Sequence, residues 1–262
     1  MMEVVKAPAT LPSSAKKSGQ GMIEQQVQSW QVIEELPRRG QVYRYPWWTL
    51  FAFLLGLALF AVSTYSLRTE SFLFLLDQPI NDYIANVKPQ LPQWLRAVAV
   101  YQSRMGSQGM IVIIVGAGLY WLFTRQWRSF WLMLVTVGGA EVLWIASLFL
   151  IDRARPQEVS GFEWLGVPLP SYPSGHTLVV VAFYGLLLYI FLPRVTESSW
   201  RIYFAAAVLV IFVLTGLNRL YLNVHFFTDI LAGYGLGLAW TVLAFVLVDW
   251  CFVKQKSSNS GS

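Results

Sequence analysis

Charge is what this chain has least of: only 13% of its 262 residues are Asp, Glu, Lys or Arg, while 56% are hydrophobic. A soluble domain carries about a quarter charged residues, so an ordinary soluble protein is excluded. A mean hydropathy of +0.51 points the same way. Cysteine is almost missing as well. Cys251 stands alone, which rules out an intramolecular disulfide, and with two histidines in the chain no Cys/His spacing reads as a zinc site. Neither metal nor cofactor is expected. The net charge of +5 is not gathered into a basic block, so nucleic acid is not an expected partner. Internal repeats are absent, and low-complexity sequence is confined to the two ends.

What the chain does have is long uncharged runs. Six of them, Tyr45–Leu67, Met105–Thr124, Ser129–Ile151, His176–Pro193, Ile202–Asn218 and Ile230–Val248, approach the roughly 20 residues needed to cross about 30 Å of hydrocarbon. Many of the 12 Trp lie near their ends, where an interfacial aromatic belt places them. The expected fold is therefore all-α, an integral membrane bundle of six transmembrane helices over 47–252. Polar tails over 1–46 and 253–262 flank it. The first tail lacks the apolar core and small-residue cleavage site of a secretory leader, and a short helix is expected near Met22–Glu35. Between the first two runs, residues 69–104 are too charged to cross. Phe72, Leu73, Phe74, Leu75, Leu76, Ile80 and Ile84 nevertheless give this stretch an apolar face, which suits interfacial helices or a packed loop.

Lys and Arg set the orientation. With the N-terminus inside, 12 of the 19 fall on cytoplasmic segments and 7 on outer ones. Both termini are thus expected in the cytoplasm, in a protein of the plasma (inner) membrane. That arrangement also brings the ends of the third and fifth runs and the starts of the fourth and sixth to one outer rim. Asp152, Arg153, Arg155, His176, Arg219, His225 and Asp229 gather there, including both histidines.

Guanidinium forks match phosphate oxygens, and a helix N-terminus preceded by Ser174 and Gly175 offers free N–H groups. The rim therefore reads as a phosphate site. His225 and Asp229 are four apart and share a face on a continuous helix. A carboxylate on one ring nitrogen leaves the other free as nucleophile or base, with His176 available as acid.

Arg153-Ala154-Arg155-Pro156, Pro173-Ser174-Gly175-His176, and Asn218-Arg219 followed by His225 and Asp229 together resemble the three-part signature of the type 2 phosphatidic acid phosphatases. That signature runs Lys-x6-Arg-Pro, Pro-Ser-Gly-His, Ser-Arg-x5-His-x3-Asp. The resemblance covers about residues 145–235 directly. It implies a metal-independent lipid phosphate phosphatase working through a phosphohistidine. His225 would be the nucleophile, Asp229 its orienting group and His176 the general acid. Arg153, Arg155, Ser174, Gly175 and Arg219 would bind substrate, a lipid carrying a phosphomonoester or diphosphate such as phosphatidate, phosphatidylglycerol phosphate or a polyprenyl diphosphate.

The chain departs from the pattern twice, with Leu148 where the family has Lys and Asn218 where it has Ser. Losing one charge-assisted contact of about 1.5 to 3 kcal/mol slows a reaction by one or two orders of magnitude. A catalytically weak lipid-phosphate binder or transporter from the same family is therefore the second expectation. For Arg153 the competing role is snorkelling toward lipid phosphates. Glu141, within the third run, costs roughly 2.5 to 3.5 kcal/mol to insert; a structural hydrogen bond beside Gly138 and Gly139 is expected for it ahead of a place in a proton path. Trp164 and Tyr172 suit either a lipid entrance or loop packing. Oligomeric state is left open.

Overall fold

The computed structural model describes residues 46–156, 163–164 and 167–259. Both tails and the expected helix at 22–35 lie outside the described residues, apart from the last turns of the final helix. The compact unit Arg44–Cys251 is a helical bundle. Its helices are α1 (Trp47–Thr69), α2 (Phe74–Val87), α3 (Gln93–Arg104), α4 (Met110–Phe123), α5 (Trp127–Met133), α6 (Gly139–Leu148), α7 (Gly175–Phe191), α8 (Ser198–Tyr221) and α9 (Phe227–Asn259). One antiparallel pair of two-residue strands, β1 (Glu163–Trp164) and β2 (Val167–Pro168), lies in the loop before α7.

Among the described residues, five helical segments are long and apolar enough to cross a bilayer: Trp47–Thr69, Trp127–Leu148, Gly175–Arg194, Ser198–Tyr221 and Phe227–Phe252. The second of the six expected runs differs from the rest. Its apolar part is the shorter helix α4, joined without a break to α3 through a π-helical turn, Met105–Gly109. Where the sequence suggested a separate crossing, one helix begins outside the apolar zone at Gln93 and runs into it. The fifth run, short in sequence, becomes the full 24-residue α8, because Ser198 to Arg201 and Arg219 to Tyr221 continue the helix at its polar ends.

A second π-helical turn, Leu134–Gly138, interrupts the third span between α5 and α6. Such turns misalign carbonyls along the helix. Here the Trp240 indole N–H, from α9, donates to the carbonyls of Thr136 (2.9 Å) and Val135 (3.2 Å). Gly139 makes room for that indole, since a Cβ there would lie 2.1 Å from the Trp240 ring. Small residues elsewhere on α9 let backbones approach, as membrane helix packing favours. Gly233 faces the Ser174 carbonyl and Thr177 of α7, and Gly235 faces Gly56 and Phe60 of α1.

Residues 69–104 form two helices, α2 and α3, and their apolar side chains are displayed rather than buried. Phe72, Leu75, Tyr83, Trp94 and Tyr101 are exposed, while the buried residues of α2 are Asp77 and Asn81. This inverts a soluble amphipathic helix and suits an interface, where the apolar face meets lipid and the polar face meets protein.

Candidate active site

The C-terminal end of α6, the N-terminus of α7, the C-terminal end of α8 and the start of α9 meet at one pole of the bundle. Local rules place each side chain. Asn223 takes the left-handed conformation (φ 57°) just past the end of α8. The Asn223 N–H then donates to Leu220 O (2.8 Å) and the Val224 N–H to Arg219 O (3.2 Å), the paired bonds of a Schellman stop. The chain reverses there, so His225 returns beside the last turn of α8 that carries Arg219.

His225 precedes α9 rather than lying on it, so the shared helical face expected for His225 and Asp229 is not how they meet. Asp229 sits in the first turn of α9 and accepts from the Phe226 N–H at 2.8 Å. Its Oδ2 stands 3.5 Å from His225 Nδ1. The shorter contact of that nitrogen is the Ser171 carbonyl at 2.8 Å. A carbonyl only accepts, so Nδ1 carries the hydrogen and the Nε2 lone pair is the free one. Burial pulls the His225 pKa below its ordinary value, Arg155 and Arg219 add to the shift, and the Asp229 carboxylate opposes it. The ring is neutral at neutral pH, as a nitrogen nucleophile requires.

Arg155 is held by three carbonyls, those of Leu169 (3.0 Å), Val224 (3.0 Å) and Pro170 (3.2 Å), with its Nη1 3.5 Å from His225 Nε2. Burial lowers its pKa and Asp229 counters this. Arg219 is buried and donates through Nη2 to Asn218 Oδ1 at 2.9 Å. Asn218 in turn donates to Ala99 O (2.8 Å) and to the Gln102 side chain. The Asn found where the family has Ser thus ties α8 to α3 and steers the guanidinium.

Ser174 is the N-cap residue of α7, yet its side chain makes no capping bond. Serine there ordinarily caps its own helix. Instead its buried Oγ has no partner among the described residues, and neither do His176 Nε2, Arg219 Nε or Arg219 Nη1. His176 hydrogen-bonds the backbone of Ser103, next to the Met105–Gly109 turn. Two donor groups, Ser174 and Arg219, and one ring nitrogen of His176 left unsatisfied in one buried region are costly unless a ligand completes them. A cavity of about 200 Å³ lies here, lined by Arg155, His176, His225, Trp144, Gly175 and Glu141 among others.

Several placements differ from the sequence reading. Arg153 neither snorkels nor faces the cavity. It is buried, with Nη2 2.6 Å from Asp77 and Nη1 2.5 Å from Asp229, and its guanidinium lies 4.0 Å from the Phe226 ring. Two carboxylates outcompete a distant lipid head group for it. Gly175 is required by packing, because a Cβ would lie 2.8 Å from the Trp144 indole. Glu141 makes no hydrogen bond among the described residues and lines the cavity instead. Tyr172 is fully buried, sharing a 2.7 Å hydrogen bond with Thr64 of α1, and burial pushes its pKa up to about 12. It is loop packing, while of Trp164 only the backbone pairing is described. The Ser171 carbonyl, Ser103 and Trp144 were not foreseen, and backbone carbonyls have no sequence signature. Asp77 did leave a signal, a carboxylate between apolar neighbours in an extramembrane helix.

The class of protein this fold and site define is a membrane phosphatase: residues 129–252 match the model of the PAP2 superfamily, and the chain belongs to that superfamily. Among its relatives, it is 31% identical over 156 residues to phosphatidylglycerophosphatase B of Bacillus subtilis (strain 168), covering 55% of this chain and 71% of the relative. The fold resembles the crystal structure of the first transmembrane PAP2 type phosphatidylglycerolphosphate phosphatase from Bacillus subtilis. The TM-score is 0.59 at 27% identity, over 79% of this chain and 96% of that one. The chain is accordingly a membrane lipid phosphatase.

Proposed function

We propose that this protein hydrolyses a phosphomonoester or diphosphate of a membrane lipid through a covalent phosphohistidine, without a metal. Phosphatidylglycerol phosphate is the favoured substrate because the relatives carry that activity in their names. Phosphatidate and polyprenyl diphosphates are the other candidates. The observation that carries the reading is the set of buried polar atoms without a partner among the described residues, Ser174 Oγ, His176 Nε2 and Arg219 Nε and Nη1, at the pole where His225 presents its unprotonated Nε2.

In the reaction, Arg155, Arg219, the Ser174 hydroxyl and the α7 N-terminus hold the phosphoryl oxygens and their transition-state charge. His225 Nε2 attacks phosphorus and the P–O bond to the lipid breaks. The electron pair leaves on that oxygen, which takes a proton from His176. Water then attacks phosphorus, the P–N bond breaks back to His225, and the water proton goes to His176. Cationic and neutral donors do the electrophilic work a metal does elsewhere, which supports a metal-independent route. The head group reaches the pole while its tails stay in hydrocarbon. With the helix running from Gln93 to Phe123 counted as a crossing, the spans are six. Both termini are then cytoplasmic and the site lies on the outer face of the plasma membrane.

Phosphate release by the purified protein in detergent, from each of the three lipid classes, tests this. Turnover that vanishes in His225→Ala supports it, and turnover unchanged in that variant overturns it. A second reading, a weak or inactive lipid-phosphate binder, is favoured by Leu148 together with the engagement of Arg153 by two carboxylates. It predicts binding that requires Arg155 and Arg219 without phosphate release.

A further inference from the structure

We propose that Asp77, on the extramembrane helix α2, is a positioning residue for the reaction: through Arg153 and Thr228 it fixes the Asp229 carboxylate that stands behind His225. The inference rests on the phosphatase reading above.

Asp77 is 2% exposed, and a carboxylate buried to that degree persists only where its oxygens are paired. Both are. Oδ1 accepts from the Thr228 N–H at 2.9 Å, while Oδ2 accepts from the Thr228 hydroxyl at 2.6 Å and from Arg153 Nη2 at 2.6 Å. Arg153 Nη1 then donates to Asp229 Oδ1 at 2.5 Å and to Thr228 Oγ1 at 2.7 Å. The Thr228 hydroxyl gives its one proton to Asp77 and accepts from Arg153, so every member is satisfied. The guanidinium is thereby a fork, with one arm anchored on α2 and the other holding the oxygen of Asp229 that does not face His225.

A second contact shows that α2 grips this region as a unit. One turn along from Asp77, Asn81 donates to the side chain of Asn223 at 3.0 Å, at the turn that delivers His225. The family match begins at residue 129, so α2 lies outside it. The helix that lies at the membrane interface thus supplies part of the frame for chemistry carried out by α7, α8 and α9.

Charge explains why the frame affects rate. Phosphorylation leaves the His225 ring positive, and the groups facing it are Asp229, Arg155, Arg219 and His176. Behind it, Asp77 and Asp229 flank one guanidinium and leave a net charge of −1 that favours a positive ring. Neutralising Asp77 removes that excess and frees Arg153 to draw Asp229 away from His225.

The test compares D77N and N81A with wild type, as folded protein recovered from gel filtration in detergent, by kcat, KM and the pH profile of kcat/KM. D77N keeps an acceptor for the Thr228 N–H and removes the charge. Its kcat is expected to fall by about 10- to 100-fold with KM within about twofold, and the acid limb to move to lower pH as positive charge accumulates behind His225. N81A, which removes the hydrogen bond to Asn223 without touching the carboxylates, is expected to lower kcat less than D77N does and to leave the acid limb unmoved. Wild-type kcat in D77N, or equal losses in both variants with unmoved pH profiles, overturns the inference. If D77N does not fold, D77N/R153Q removes both charges, and wild-type kcat in that double variant likewise overturns it. A wild-type protein with no turnover on any lipid phosphate would instead sink the phosphatase reading itself.

Discussion

The Nδ1–H of His225 donates to the Ser171 carbonyl at 2.8 Å, while the Asp229 carboxylate stands 3.5 Å from the same nitrogen. The carbonyl fixes the tautomer and the carboxylate supplies charge, so the two duties often assigned to one group are divided. Asp229→Asn is therefore expected to retain the correct tautomer and to lose about 10- to 100-fold in kcat through electrostatics alone, against a loss of at least about 10³-fold for His225→Gln. Phosphate release from the preferred lipid measures both. Equal losses in the two variants would show that the carbonyl alone does not hold the ring.

Proton binding at His225 gives a second expectation. Its folded pKa is depressed by burial, so the ring stays neutral below the ordinary value of about 6.5. The acid limb of kcat/KM should accordingly lie below pH 6.5. The unfolded chain binds a proton at His225 in the window between the two pKa values while the folded chain does not. The contribution to stability is thus full above about pH 6.5 and is lost as pH falls through the folded pKa. Removing the ring in His225→Gln should flatten that part of the stability curve, as followed by thermal unfolding in detergent across pH 5 to 8.

Leu148 raises the question of what replaces the family cation. Arg153 is held by Asp77 and Asp229, so it does not. Leu148→Lys, at the half-buried end of α6, should raise kcat/KM by about 10- to 100-fold, the equivalent of one charge-assisted contact of about 1.5 to 3 kcal/mol. An unchanged value would mean that Arg155 and Arg219 suffice.

Gly175 and Trp144 form a lock between α7 and α6. A methyl group at 175 meets the indole at 2.8 Å, so Gly175→Ala should cost about 1 to 3 kcal/mol by overpacking. A second substitution, Trp144→Phe, should relieve part of that loss. Thermal unfolding of the single and double variants reads it. A stable Gly175→Ala that nevertheless loses activity would return the glycine to a phosphate-contacting role.

How much of this was legible in the sequence follows from what kind of signal each part leaves. Long uncharged runs are written in composition, so α1, the span of α5 and α6, α7, α8 and α9 were readable from hydropathy. The joining of α3 to α4 was not, because a helix that starts in polar sequence and passes through a π turn has no apolar edge to mark its beginning. The site residues lie in three motifs and were nameable, yet their partners were not. Arg153 was read as a substrate contact or a lipid-facing cation because neither carboxylate that holds it is near it in sequence. Its partner Asp77 lies 76 residues away. The tautomer of His225 is set by a backbone carbonyl, which every residue possesses and none advertises.

The most direct test of the phosphohistidine route uses the fact that the chain has only two histidines. Rapid quenching of the enzyme during turnover of lipid labelled in its phosphate, followed by peptide mapping, locates any acid-labile phosphate on the protein. Label is expected on His225 alone, and absent in His225→Gln. Label on His176, or sustained turnover with no label on either ring, would contradict the assignment of His225 as nucleophile.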